Sequence, residues 1–585
     1  MKKIFAYSFA AVFAVFAVSC QSENLDPQTV TDEQNQPVQL ITETITATVD
    51  EGNTKATVDA DAKFAWTAGD HIAVHVSKDD EHKYVFTSAA GASGASASEA
   101  SASFTVVYEE GYARDAFAVF PASIVTENAA NYGQSGQTLD VTLPATYELS
   151  AVSGENTPCP MIATNAPGSG WEFKQLCGLL RLTVKAIPSD ATGLVIQFPG
   201  KKVNGGFSVT DFSTATPYIP VGGSPADGED KITVTFTVGT ATEMTLNIPL
   251  PAGSYDDVYI TPQGSATRVA AVRHIKAGGY TAARAHGKQL TATLVSFSVS
   301  DSKKVVFAPG NLQYDKSASK WSFMDHQYST VETTSQNVGE DVGDNYAIED
   351  IVSLFGWATS GYSSATTSDN TWVNYQPWAT SNSAGTVNTS KNYYEYGPST
   401  EKITAGTSWN DASHYATWKV CDWGHNAISN GGNTADTWRT LTGGSSGEWK
   451  YLLEDRTNAD SKVGYATVGG VTGIIILPDD FTDPNKNNGS DAFKPKATTG
   501  FTANVYTSGG NWEAMEAAGA VFLPAAGYRF GTDVDHVGDF GVYWSSTALN
   551  AYGAYGLYFI SGYVYPAIDR SRYLGYSVRL VQNLN

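Results

Sequence analysis

The sequence predicts a mainly β chain: two β-sandwiches in tandem, followed by a larger unit of α+β character. Three observations carry this expectation. Apolar and polar residues alternate in short runs punctuated by Gly and Pro, as in ITETITATVD from Ile41 and LRLTVKAI from Leu180. Thr, Val and Tyr are common, whereas long helical periodicities are scarce. Beyond about residue 295 Trp- and Gly-rich loops outnumber regular elements. With 585 residues, 42% of them hydrophobic, the chain can bury several cores. A net charge of −23 argues against a nucleic-acid partner, which demands Lys/Arg stripes to displace counterions.

Residues 1–19 read as a secretory leader: Lys2 and Lys3, an apolar run from Ile4 to Val18, then a small residue. The run is shorter than the roughly 20 residues of a membrane span. It ends in Ala17-Val18-Ser19-Cys20, which resembles a bacterial lipobox. That resemblance implies lipidation at Cys20 and a surface-exposed protein anchored in the outer membrane. Residues 20–40 are polar, carry no apolar period, and read as a flexible tether.

The first sandwich is expected over 41–165 and the second over 166–293. The former holds ITETITATVD, KFAWTAGDHIAVHV and AFAVFPASIV; the latter holds FKQLCGLLRLTVKAI, GLVIQF, ITVTFTV, MTLNIPL and YDDVYITPQG. Between strand patterns, Ala89 to Phe104 is low-complexity Ala/Ser/Gly and reads as a long loop. Cys159 and Cys177 either pair across a loop of moderate length or serve as two small buried hydrophobes. The segments Thr54–Val76 and Trp171–Ala186 resemble the fimbrillin-type (Mfa-like) proteins of Bacteroidetes. This resemblance implies transthyretin-like sandwiches in a lipidated surface protein that works as a fimbrial subunit or an adhesin. Fimbrial subunits are then possible partners.

Residues 294–585 form the third unit. Helices are expected at Asn345–Phe355, Gly447–Asp455 and Asn511–Gly519, each with apolar residues at helical spacing. Asn511 reads as an N-cap and Gly519 as a stop. VTGIIILP and AVFLPAAGYR read as buried strands closed by proline. The segments Trp423–Leu453, Ala518–Arg529, Tyr543–Thr547 and Gly575–Val581 resemble the C-type-lectin-like fold of formylglycine-generating-enzyme relatives and the Fibrobacter major paralogous domain.

That enzyme family uses a late cysteine pair, whereas Cys421 stands alone, so its activity does not transfer. His414, His425 and His536 show no HExxH spacing. Trp409-Asn410-Asp411 matches a calcium-lectin tripeptide but has no EPN or QPD beside it. Asp479-Asp480 with Asp483 reads as a solvated acidic turn rather than a calcium loop, since no DxDxDG is present. The expectation is a non-enzyme without cofactor, metal or catalytic residue.

The stretch GVYWSSTALNAYGAYGLYFISGYVYPAIDRSRYLGYSVRLV, from Gly541 to Val581, carries the functional signal. Seven Tyr lie between Ala548 and Tyr576 among Gly, Ser, Asn, Asp and Arg, a composition suited to binding surfaces. Strand alternation points Leu557, Phe559 and Val564 inward, and Tyr558, Ile560, Tyr563 and Tyr565 outward. Ala567–Ser571 reads as a loop. The expected ligand-binding set is Asn550, Tyr552, Tyr558, Ile560, Tyr563, Tyr565, Ile568, Asp569, Arg570, Tyr573 and Tyr576, framed by constant segments at Tyr543–Ser546 and Ser577–Val581. The region 543–581 also resembles the variable region of proteins diversified by retroelements. Such elements mutate template adenines, and from Asn codons they never reach Lys, Glu, Gln, Met or Trp; none of these occurs from Ala548 to Tyr576. The function expected is a cell-surface ligand-binding lipoprotein whose ligand is a protein, a glycan, or a phage or cell surface. The alternatives are a fimbrial structural or tip subunit and an inactive or unrecognised formylglycine-generating-type enzyme.

Overall fold

The computed structural model describes residues 39–49, 66, 70–90, 101–126, 138–149, 153–156, 159–164, 170–210, 218–219, 228–237, 242–276, 279–284, 286–315, 317–330, 351–358, 421–530, 533–550 and 553–584. Strands dominate and the protein is mainly β. The leader, Cys20, His414, Trp409–Asp411 and Tyr552 lie outside the described residues.

Among the described residues the first strands close into a seven-stranded barrel. Leu40–Val49 pairs antiparallel with Ser101–Glu109 on one side and parallel with Trp171–Gln175 on the other. Trp66 fills the interior, its ring edge-on to Phe104, Phe120 and Phe173 with centroids 5.2 Å away. Part of the expected Ala/Ser loop is strand: Ala89 pairs with Phe104 and Ala90 with Ser103. Small residues at these positions leave backbone pairing to decide the conformation.

The second unit is a sandwich. One sheet runs Gly287–Thr293, Gly178–Lys185, Glu243–Leu250, Ser153–Asn156; the other runs Ala271–His274, Asp257–Gln263, Gly193–Gln197, Lys231–Thr235, Thr146–Glu148. Alternate residues of each, such as Leu180, Leu182 and Val184 against Leu194, Ile196 and Ile260, share one core from which water is excluded. The two units exchange strands across the expected 165/166 boundary. Met161–Thr164 pairs with Trp171–Gln175 in the barrel, while Thr146–Glu148 and Ser153–Asn156 join the sandwich. Cys159 and Cys177 are free thiols, buried in one apolar layer with Phe117, Leu139 and Phe207.

The third unit is tied shut at its ends, Lys304–Phe307 pairing antiparallel with Val581–Leu584. A four-stranded sheet orders Asn504–Tyr506, Val463–Val468, Val471–Ile476 and Val521–Pro524. A helix over Glu448–Asp455, π-wound from Tyr451, buries Trp449, Leu452 and Leu453 as their spacing predicts. A second helix covers Asn511–Ala517 and buries Trp512 and Met515. Its N-cap position is Gly510, one residue before the expected Asn511, whose side chain instead accepts hydrogen bonds from the Thr507 amide and hydroxyl. The helix expected at Asn345–Phe355 is absent where described, because Ile351–Val352 pairs as a strand with Tyr314 and Asp315. Asp479 is no solvated turn: Ser298 and Arg456 hydrogen-bond its carboxylate, and Asp483 accepts from the Asn485 and Phe493 amides.

This unit docks on the sandwich through Tyr259 against Trp438, with centroids 5.9 Å apart, and through His274, which bridges the Asp257 carboxylate and the Met324 carbonyl. The Thr293 hydroxyl donates to the Ala517 carbonyl at 2.8 Å. Just beyond, Gly519 adopts φ +91°, and a Cβ there would lie 2.6 Å from Val295 Cγ1. Gly519→Ala is therefore expected to destabilise the chain by about 1–3 kcal/mol in denaturant unfolding.

Candidate binding face

The Tyr-rich stretch folds as a three-stranded antiparallel meander: Phe540–Ala548, Gly553–Ile560 and the edge strand Tyr563–Ser571. Its first strand is buried on both sides. Tyr543, with Leu557 and Phe559 of the middle strand, enters one core. Val542 and Trp544 enter a second core with Phe355, Trp423 and Tyr576. Gly541 permits this, since a Cβ there would collide with the Phe559 ring. Burial then fades across the second side: Tyr558 and Ile560 are half-buried, while Tyr563 and Tyr565 are 52% and 40% exposed.

The predicted alternation holds for the hairpin. Val564 packs against the inner core and pairs with Phe559, whereas Tyr565 pairs with Tyr558 and Tyr563 with Ile560 on the opposite side. The Tyr563 and Tyr565 rings stack, with centroids 6.1 Å apart and planes at 23°. The expected loop Ala567–Ser571 is instead part of the edge strand. A bulge between the Tyr558–Tyr565 and Gly556–Ile568 pairs inserts one residue there. Since the side-chain period is two, this extra residue keeps Ile568 and Arg570 on the side of Tyr558 and turns Asp569 to the opposite side, paired with Tyr555. The Arg570 guanidinium lies 4.9 Å from the centre of the Tyr558 ring.

Asn550 is exposed at the tip of the first hairpin, where its side-chain oxygen accepts from the Gly553 amide at 2.8 Å. Tyr573 is half-buried beside the face. Tyr576 corrects the expectation: it is 2% exposed, edge-on to Trp544 at 4.7 Å, and its backbone bridges Phe355. Burial pushes its phenol well above the ordinary tyrosine range. The framing segments Tyr543–Ser546 and Ser577–Val581 are all buried.

Sequence reasoning missed the other half of the aromatic surface. Phe540 lies 5.7 Å from Tyr558 and stacks on Tyr528, which in turn stacks on the exposed His536. The ribbon therefore runs His536, Tyr528, Phe540, Tyr558 and onward to Tyr565 and Tyr563. His536 at φ +60° and Gly538 at φ +81° shape this turn, and the His536 ring lies 4.9 Å from that of Phe540. Two motifs separated in sequence meet here because Gly527 bridges Gly541; composition within the Tyr-rich stretch alone carries no signal for that.

The edge strand is a poor template for strand addition. Pro566 lacks an amide donor and the bulge interrupts the ladder. Recognition at this face would then run through side chains.

No family model matches the chain, and no curated protein matches it. Several solved structures do. A protein of Bacteroides ovatus assigned to cell adhesion is 14% identical, covering 43% of this chain and 91% of its own, with a TM-score of 0.27. A fimbrial assembly protein from Parabacteroides distasonis is 11% identical over 48% of this chain and 99% of its own, with a TM-score of 0.22. The tip fimbrial protein Mfa3 from Porphyromonas gingivalis, with a C-terminal truncation, is 14% identical over 41% of this chain and 80% of its own, with a TM-score of 0.18. At these scores the likeness decides nothing about function, which rests on the chain's own residues.

Proposed function

We propose that this chain is a cell-surface binding protein of the adhesin type, lipid-anchored through Cys20, with a C-type-lectin-like third unit that presents the ligand-binding face. The carrying observation is the exposed, stacked Tyr563–Tyr565 pair, set in register beside Tyr558 and Arg570 on a sheet whose first strand is locked between two cores. Tyrosine offers wide contact area for few rotors, and a sheet held from behind needs little ordering when a ligand arrives. Arg570 supplies an ionic handle on the face, whereas Asp569 lies on the strand's other side. The set of exposed residues fits diversification by a retroelement, since the buried frame holds its shape whichever residues occupy the face.

The test is a screen of the purified chain against immobilised glycans and bacterial or host surface proteins, followed by Tyr563→Ala and Tyr565→Ala. Each substitution is expected to weaken the bound ligand at least about 10-fold, as aromatic anchors do. Binding that survives both substitutions would place recognition elsewhere. For the diversification reading, a reverse-transcriptase gene beside an adenine-rich near-copy of codons 543–581 is expected in the neighbouring DNA, and its absence would remove that part.

A further inference from the structure

A second group of chemistry-bearing side chains sits in the barrel, remote in sequence from the aromatic face. His75 lies on His71–Lys78, His82 on Glu81–Ala90 and Asp115 on Ala113–Phe120, three strands that are neighbours in the barrel. Ser77 pairs with His82, and residues two apart share a face, so His75, Ser77 and His82 project to the same side. On the other flank the pairing slips. Val74 pairs with Ala118 and Val76 with Arg114, leaving Asp115, Ala116 and Phe117 opposite the single residue His75. Such bulges re-aim side chains, and here the carboxylate meets the imidazole. Asp115 Oδ2 lies 2.6 Å from His75 Nδ1, and the Ser77 hydroxyl donates to Oδ1 at 3.0 Å. The His82 ring stacks on His75 with centroids 5.3 Å apart. One ligating atom from each of the three residues lies within 4.8 Å of the others.

We infer that His75, His82 and Asp115 form a binding site for a divalent transition-metal ion of the zinc class, which would cross-link three strands of the barrel. Two imidazoles and a carboxylate are a donor set that zinc accepts, with a fourth position left for water. Calcium and magnesium favour all-oxygen sets and are disfavoured here. The mouth is accessible: His75 is fully buried, but the Asp115 side chain is 29% exposed and His82 is half-buried. Ser77 fixes the carboxylate from behind, as outer groups do around ligating side chains. Uptake requires the His75–Asp115 pair to widen to roughly 3.3 Å, the edge of a tetrahedron with bonds of about 2 Å, and any donor separation nearer 4.8 Å to close to the same edge.

The experiment is titration calorimetry of the untagged, chelator-treated full chain with zinc chloride, paired with thermal melts with and without zinc. The expected result is saturable binding of one zinc per chain and a raised melting temperature, with no rise from calcium or magnesium. His82→Ala and Asp115→Asn should each weaken binding at least about 10-fold. Circular dichroism establishes that each variant is folded; if Asp115→Asn does not fold, the half-buried His82→Ala decides alone. Absence of zinc binding in the unsubstituted chain, or binding unchanged by His82→Ala, would overturn the site and leave His75–Asp115 a plain hydrogen-bonded pair.

Discussion

Arg579→Ala is expected to destabilise the third unit by about 3–5 kcal/mol, measured by denaturant unfolding. Arg579 is fully buried beneath the meander, and burial pulls its guanidinium down to about 10. Its two terminal nitrogens donate to Asn311 Oδ1 at 3.2 Å and to Gln327 Oε1 at 2.7 Å. These partners hold others in turn: the Asn311 amide donates to the Tyr543 hydroxyl, which donates to the Pro524 carbonyl, while Gln327 bonds the Phe522 amide and the Ala520 carbonyl. Truncation takes a donor from two buried side-chain oxygens, Asn311 Oδ1 and Gln327 Oε1, and opens a void, two penalties that add. Arg579→Met, which fills the space without a charge, is expected to lose less than Arg579→Ala. Equal losses would show that the void contributes little and that the lost hydrogen bonds account for the effect, whereas a near-neutral Arg579→Met would show that the polar network contributes little.

Tyr576→Ala carries the second large effect, about 3–5 kcal/mol of stability, by analogy with other buried aromatic truncations. The residue sits between Trp544 and Tyr528, in the core that also takes Phe355 and Trp423. Any loss of binding in this variant should track the fraction unfolded. A stable Tyr576→Ala chain with abolished binding would return Tyr576 to the recognition surface, against its burial here.

Much of the fold was legible because β alternation is local. Inward Leu557, Phe559 and Val564 and outward Tyr563 and Tyr565 follow from a period of two, and Trp449, Leu452 and Leu453 from a helical one. What was illegible depends on partners far along the chain. Tyr576 has the same composition around it as Tyr563, but a backbone bridge to Phe355 commits it to the core. One inserted residue took Asp569 off the tyrosine face and put Arg570 on it, and a bulge of that kind leaves no composition signal. The closing of the barrel likewise rests on Trp171–Gln175 returning to Leu40–Val49, which no local pattern encodes.

If the edge strand recognises the ligand, as proposed, and the frame behind it supports the strand, the binding face and the fold are separable. The most direct measurement compares affinity and melting temperature in one variant, Tyr563→Ala with Tyr565→Ala. Both side chains are substantially exposed, so stability should change by no more than about 0.5 kcal/mol each. Affinity for the ligand found in the screen should fall roughly 100-fold or more. A double variant that melts much earlier, or one that binds as tightly as the unsubstituted chain, would contradict the claim.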